Sequence, residues 1–130
     1  MLNRIALTNF RRHRDLALDF SDGVTLLRSS NEGGKSTVLE SIAFALFGTT
    51  ALRTSLDETV TWGADVKSLK VELVLTLNGD SYVFRRAKSG AEVTLNGNVH
   101  CTGQKEVSAF AANLFGADAS VASKLMLAGQ

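Results

Sequence analysis

Nine consecutive residues, 29–37, have the side chains and the spacing of a loop that binds phosphate. The run reads Ser-Ser-Asn-Glu-Gly-Gly-Lys-Ser-Thr and fits the pattern G-x-x-x-x-G-K-[S/T] at every position except the first. In such a loop Gly34 lets backbone N–H groups approach the phosphate oxygens, Lys35 brings a positive charge to the β- and γ-phosphates, and the Ser36 hydroxyl coordinates Mg²⁺. The sequence therefore predicts a site for ATP and Mg²⁺. Its predicted nucleotide-binding residues are Ser29, Ser30, Asn31, Glu32, Gly33, Gly34, Lys35, Ser36 and Thr37, with Lys35 also catalytic and Ser36 a metal ligand.

Serine at the first position of the loop is a departure from the pattern. Glycine eases the turn out of the preceding strand, and Ser29 held at a positive φ would cost about 1–3 kcal/mol of backbone strain. Because Gly34, Lys35 and Ser36 are intact, we expect nucleotide binding to be retained, and to be weakened if that strain is present. The alternative interpretation is a glycine-rich turn from a strand into a helix, with Lys35 solvated.

The segments on either side of the loop are suited to holding it in place. Residues 24–27 form a compact apolar run that is typical of a buried strand. From Lys35 onward, apolar residues recur at intervals of three and four, which predicts a helix with Gly48 as its C-cap. The helix would direct its unpaired N–H groups and the positive end of its dipole toward a bound phosphate. Its apolar positions are Val38, Leu39, Ile42, Ala43, Leu46 and Phe47.

Elsewhere the sequence predicts strands joined by tight turns. Strict alternation over residues 69–77 predicts a strand that turns at Asn78-Gly79 and returns over residues 82–86. A second short hairpin is predicted around Asn96-Gly97. Before the loop, strands are expected over residues 1–7 and 16–20, followed by a turn at Asp22-Gly23.

Helical spacing returns near the end of the chain. Residues 104–115 place Val107, Phe110, Ala111 and Leu114 on one side of a predicted helix, and residues 119–127 form a further candidate helix. Residues 49–67 are polar and irregular. The predicted fold class is therefore α/β, with antiparallel β-hairpins around a strand–loop–helix unit.

Composition excludes several classes of protein. Of 130 residues, 45% are hydrophobic and 21% are charged, which is ordinary for one globular domain and excludes intrinsic disorder. The net charge of +1 does not indicate a nucleic-acid surface over the whole domain. The single cysteine, Cys101, suits a reducing compartment. No apolar run has the length of a signal peptide or a membrane span, so we expect a soluble cytoplasmic protein without a membrane partner.

The residues that flank the loop resemble one family of DNA-repair ATPases. Residues 7–13 read Leu-Thr-Asn-Phe-Arg-Arg-His, and residues 39–48 read Leu-Glu-Ser-Ile-Ala-Phe-Ala-Leu-Phe-Gly. These are similar to the "NFR-x-H" start and the "LE-x-I-x-x-A-L-F-G" helix of SbcC-type proteins, which belong to the wider SMC and RecF group with ABC-like ATPase heads. Similarity of pattern continues to residue 107, so the resemblance covers nearly the whole chain.

The resemblance implies roles for residues outside the loop. Arg11 would approach the phosphates or the base of the nucleotide, and Asn31 would shape the phosphate cradle. Gln130 lies where ABC-like heads place a glutamine that touches Mg²⁺ and the attacking water, which makes it an expected catalytic residue and metal ligand. Two alternatives stay open for other residues. Arg12, His13 and Arg14 either contact nucleotide or DNA or form a solvated basic loop, and Trp62 either stacks on a base or anchors an irregular segment.

The resemblance also implies a domain organisation and partners. The chain contains no apolar run ending in Asp-Glu, no "LSGG" signature and no heptad repeat. In the resembling family these lie in the coiled coil and the C-terminal half of the head. We therefore expect residues 1–130 to be an ABC-ATPase-like N-terminal lobe that alone binds ATP weakly and hydrolyses it negligibly. The implied partners are the C-terminal lobe of the same protein, a second ATPase head, an associated nuclease subunit that ATP controls, and DNA.

Other functions remain as alternatives. A nucleotide-binding module without hydrolysis would explain the serine at position 29, and another SMC- or RecF-like head would share the same motifs. A transporter head is disfavoured, because such heads place the glutamine much closer to the loop than Gln130 is to Lys35. A plain DNA-binding domain is disfavoured by the balanced charge.

Overall fold

The computed structural model describes residues 2–11, 13–19, 32–52 and 54–115, including all of their side chains except those of residues 32–36. Six strands form one sheet in the order β2-β1-β3-β4-β5-β6, and every neighbouring pair is antiparallel. The predicted α/β class with antiparallel hairpins is confirmed. The strands are β1 (Leu2–Phe10), β2 (His13–Asp19), β3 (Lys70–Leu77), β4 (Asp80–Ala87), β5 (Gly90–Leu95) and β6 (Asn98–Thr102).

Two long helices pack on one face of the sheet. Helix α1 (Glu32–Phe47) contacts β1, β3 and β4, and helix α3 (Gln104–Phe115) contacts α1, β5 and β6. The short helix α2 (Leu56–Thr59) and two 3₁₀ turns, Gly48–Ala51 and Val66–Ser68, lie between α1 and β3.

The core follows from the alternation of side chains along each strand. Ile5, Leu73, Phe84 and Val93 face one another across four neighbouring strands, and each is 0% exposed. The next row along the same strands places Glu72, Arg85 and Glu92 on the opposite face. Because successive side chains point to opposite faces, one face of the sheet is covered by the helices and the other is polar.

Both predicted Asn-Gly turns are confirmed. Asn78 and Gly79 have φ of 53° and 85°, and Asn96 and Gly97 have φ of 51° and 87°. Positive φ at both central residues is the type I′ turn, whose twist matches that of the flanking strands. The prediction that Gly48 caps the first helix is also confirmed, since α1 ends at Phe47 and Gly48 has φ of 80°.

Several predicted boundaries were wrong. Strand β1 continues to Phe10 rather than ending at residue 7, because backbone pairing with β2 and β3 does not need apolar side chains. Helix α1 begins at Glu32 rather than Lys35, because its first turn carries polar residues and glycines that give no apolar period. The predicted strand over residues 24–27, the turn at Asp22-Gly23 and the helix over residues 119–127 lie outside the described residues.

In the described part of the chain, no helix combines the length and the apolar character needed to span a lipid bilayer.

We expect Phe84→Ala to lower the free energy of unfolding by about 3–5 kcal/mol, because the ring is fully buried between the sheet and α3. Val99→Ala serves as the matched control, since Val99 lies on the edge strand with 62% of its surface exposed, and it should change stability by less than about 0.5 kcal/mol. Urea unfolding followed by circular dichroism measures both. Equal losses in the two variants would contradict the described core.

Candidate nucleotide-binding site

The described end of the predicted phosphate-binding loop is the first turn of helix α1. The backbone of residues 32–36 is helical, so the N–H groups of this turn have no partner within the helix and carry the positive end of its dipole. Thr37 follows as a buried residue at 8% exposure. The helix whose N-terminus is predicted to meet the phosphates is therefore present. Glu32, Gly33 and Gly34 lie inside this helix rather than before it.

Several predicted site residues lie outside the described residues. Ser29, Ser30 and Asn31 of the loop, Arg12 of the basic run and Gln130 fall there, and the side chains of Lys35 and Ser36 belong with them. Among the described residues no group of three or more His, Cys, Asp and Glu side chains could hold a metal ion. That finding is compatible with magnesium at this site, because Mg²⁺ bound with a nucleotide takes few protein ligands and several oxygens from phosphate and water.

Arg11 is bound to helix α1 by a two-point ion pair. Its Nε donates to Glu40 Oε1 at 2.5 Å and its Nη2 donates to Glu40 Oε2 at 2.7 Å. The side chains are 19% and 5% exposed, so Glu40 is nearly buried. The hydrogen bonds with Glu40 raise the pKa of Arg11 more than burial lowers it, and the guanidinium stays charged. Such bidentate pairs fix orientation as well as distance.

The free edge of Arg11 is the part that could reach a nucleotide. Nη2 also donates to Thr54 Oγ1 at 3.2 Å, while Nη1 has no hydrogen-bond partner in the described part of the chain. The predicted approach of Arg11 to the nucleotide is therefore compatible with its pairing to Glu40. The pairing itself was not predicted. The signal was present in the sequence, since Glu40 is the single charged residue in the stretch 38–47, which is otherwise apolar except for Ser41.

The backbone around Arg11 is held from the other side by the segment after α1. Arg11 N–H donates to Thr59 O at 2.6 Å and Thr61 N–H donates to Asn9 O at 2.9 Å. Arg11 and Asn9 both have φ of 52°, a conformation that costs a non-glycine residue free energy. The hydrogen bonds to Thr59 and the pair with Glu40 hold Arg11 there.

The basic run and the tryptophan meet at the same end of the sheet. Arg14 Nη2 donates to Trp62 O at 3.5 Å, and Thr61 Oγ1 donates to His13 O at 3.4 Å. The Trp62 side chain is 92% exposed. The interpretation of Trp62 as an anchor is wrong, because Trp62 contacts Arg14 through its backbone oxygen and its indole ring is not buried.

The far end of helix α1 is held by a buried arginine that the sequence interpretation missed. Arg86 is 2% exposed, and its Nε and Nη2 donate to Ala45 O at 3.3 Å and Leu46 O at 2.9 Å. Its Nη1 donates to Gln104 Oε1 at 2.9 Å. Gly48 allows this approach, because a Cβ there would lie 3.0 Å from Nη1. Burial lowers the pKa of Arg86 to about 10, so the group is charged at neutral pH.

The burial of Arg86 could have been predicted from the alternation of inward-facing and outward-facing side chains along β4. Tyr82, Phe84 and Arg86 occupy every second position, which places the arginine on the buried face with two aromatic residues. Its role could not be found, since the carbonyl oxygens it binds belong to a helix 40 residues earlier in the chain.

The chain is similar to proteins of known families. Residues 4–119 match the AAA_23 family model, which is described as an AAA domain. Proteins named "DNA double-strand break repair Rad50 ATPase" are 38% identical over 86 residues in Halobacterium salinarum and 30% identical over 122 residues in Methanocaldococcus jannaschii. These alignments cover 66% and 91% of this chain, and 10% and 12% of the two relatives. The chain thus spans about a tenth of the length of the curated relatives it matches.

The chain also aligns in part with a solved structure. The recombination mediator protein RecF-ATPrS in the RecFOR pathway aligns with a TM-score of 0.49 and 20% identity. The alignment covers 77% of this chain and 28% of that chain.

We expect Arg11→Met to lower the free energy of unfolding by about 3–5 kcal/mol, because it removes a two-point, charge-assisted contact from the nearly buried Glu40 carboxylate. Arg85→Met is the matched control. Like Arg11, Arg85 is paired with carboxylates, those of Glu72 and Glu92. Its side chain is 49% exposed, so its loss should lower the free energy of unfolding by less than about 1 kcal/mol. Urea unfolding of both variants tests the difference, and a similar small loss in each would show that the Arg11–Glu40 pair is solvated.

Proposed function

Since the chain belongs to the AAA_23 family of AAA domains, we propose that it is the ATP-binding N-terminal lobe of an SbcC-like DNA-repair ATPase. The resemblance of residues 7–13 and 39–48 to SMC- and RecF-type ATPases is confirmed by the Rad50 relatives. The observation that carries the proposal is the start of helix α1, where the Gly-Gly-Lys-Ser sequence forms the first helical turn and Glu40 ties the next turn to Arg11.

The chemistry proposed for this end of α1 is electrostatic. The N–H groups of the first turn and Lys35 bind the β- and γ-phosphates, and Arg11 offers its free Nη1 edge to the same anion. Ser36 and Gln130 would hold Mg²⁺, which would neutralise charge on the phosphate oxygens. Gln130 would also orient the attacking water. The cost of gathering these charges falls because their positions are fixed before the nucleotide binds.

A row of partly exposed apolar side chains supports the proposal that a second lobe covers α1. Leu39, Ala43 and Phe47 lie four residues apart on one side of the helix, and each is only partly buried. A helix that is apolar all round is normally enclosed on all sides, whereas among the described residues the sheet and α3 cover only part of α1. We infer that the C-terminal lobe of the same protein packs on this side and supplies the missing acidic residues, so that residues 1–130 alone bind ATP but hydrolyse it negligibly.

The wider assembly is proposed from the relatives named as double-strand break repair ATPases. Two such heads would enclose ATP between them, and ATP would favour the paired state because it binds that state more tightly. The paired and unpaired states would then control access of DNA to an associated nuclease.

The single thiol, Cys101, suits the cytoplasm. Its burial and the nearby Glu106 carboxylate raise its pKa, which keeps it protonated and unreactive.

We expect Lys35→Ala to weaken the binding of Mg²⁺-ATP at least about tenfold, because it removes the cation that contacts the β- and γ-phosphates. Isothermal titration calorimetry of the full chain measures the effect. The matched control is Lys67→Ala, which removes an exposed lysine from a 3₁₀ turn far along the chain. The proposal fails if the unmodified chain does not bind Mg²⁺-ATP, or if Lys35→Ala and Lys67→Ala bind it equally well.

A further inference from the structure

A second cationic site lies at the end of helix α1 opposite the phosphate-binding loop. A cavity of about 500 Å³ lies between the C-terminus of α1, the end of β4 and the first turn of α3. Arg86, Lys88 and Lys105 line it, and no aspartate or glutamate of the described residues does. We infer that this cavity binds the phosphate group of a small molecule, at a site separate from residues 29–37. This inference goes beyond the proposed function and does not depend on it.

Arg86, the buried member of the cluster, pairs with no carboxylate among the described residues. The hydrogen bonds of Arg86 within the described part of the chain all end on neutral oxygens, which belong to Ala45, Leu46 and Gln104. A charge that is 98% removed from solvent is costly unless an opposite charge lies nearby, and desolvation accordingly lowers the pKa of Arg86. An anion in the adjoining cavity would supply that opposite charge.

The two lysines at the rim are free to complete the site. Lys88 lies in the turn between β4 and β5, and Lys105 lies in the first turn of α3. Both are exposed, and the ion pairs found among the described residues involve neither of them. Their neighbour Arg85 is different, because it is already bound to Glu72 and Glu92 on the other face of the sheet. The flexible lysine side chains could therefore close over an anion.

The negative end of helix α1 does not oppose an anion here, because its last carbonyl groups are already bound. Arg86 binds two of them, and Phe47 O accepts from Ser108 Oγ at 3.0 Å and from Thr50 Oγ1 at 3.2 Å. Helix α3 begins at Gln104 beside the cavity, but the Glu106 carboxylate lies in its first turn and against Gly103. The positive charge of the site therefore comes from Arg86, Lys88 and Lys105 rather than from this helix end.

The shape of the cavity indicates the class of ligand. Its volume lies within the range of about 300–1,000 Å³ that is usual for small-molecule sites. The wall includes the half-buried Phe47 and Leu56, so an apolar part of the ligand would lie on these side chains. Its phosphate would meet the two exposed lysines, with the buried Arg86 behind them. This division predicts a phosphorylated organic molecule rather than a bare metal or a neutral compound.

The test uses inorganic pyrophosphate as the probe and the full chain carrying Lys35→Ala, so that binding at residues 29–37 is suppressed. We expect calorimetry to detect pyrophosphate binding in this background. Adding Lys88→Gln and Lys105→Gln should weaken it at least about tenfold, because two charge-assisted contacts are lost. Both lysines are exposed, so the variant should fold, and circular dichroism checks this.

The matched control adds Lys67→Gln and Lys70→Gln instead, which removes the same charge from exposed lysines outside the cavity. Selective loss with the first pair supports the site. Equal loss with both pairs, or no pyrophosphate binding before these changes, overturns it. The result is distinguishable from the test of the proposed function, which depends on Mg²⁺-ATP and on Lys35 alone.

Discussion

The sheet buries one side of an apolar helix, and the proposed ATP site requires that the first turn of the same helix stay open to a charged ligand. Helix α1 meets both demands because its character changes along its length. Residues 32–36 are polar or glycine, and residues 38–47 are apolar apart from Glu40 and Ser41. The apolar part packs on β1, β3 and β4, which fixes the axis of the helix and therefore the direction in which its free N–H groups point.

Two arginines fix the helix at points that apolar packing alone would leave adjustable. Arg11 binds Glu40 near the start, and Arg86 binds the last carbonyl groups. Buried ion pairs often contribute little net stability, because desolvation offsets their attraction, but breaking one is costly. A loss of about 3–5 kcal/mol is large against the roughly 5–15 kcal/mol that a domain has in total. The main effect of the Arg11–Glu40 pair and of the Arg86 hydrogen bonds is therefore to hold a single position of α1, which the proposed ATP site needs.

The sequence was sufficient to predict those features that depend on residues close together in the chain, such as tight turns and the periodicity of strands and helices. The Asn-Gly turns demanded positive φ, the alternation over residues 69–77 fixed the inward face of β3, and apolar spacing placed α3 at Gln104–Phe115. The proposed phosphate-binding residues could be predicted from the sequence because their chemistry is confined to one short run. Glu40 and Arg86 could be seen as unusual, but their partners lie 29 and 40 residues away, so only the folded chain joins them. Trp62 carried no local sign of exposure, because a large aromatic residue is usually buried.

Hydrogen exchange of backbone amides, measured with and without Mg²⁺-ATP, tests most directly whether this end of α1 is a nucleotide site. If it is, ATP should slow exchange over residues 29–37 and around Arg11, since the phosphates occupy N–H groups of the first turn and restrain the Arg11–Glu40 pair. The strands β5 and β6 should be unaffected, because they lie at the other edge of the sheet. Unchanged exchange over residues 29–37 at saturating ATP, or protection confined to other segments, would contradict the assignment.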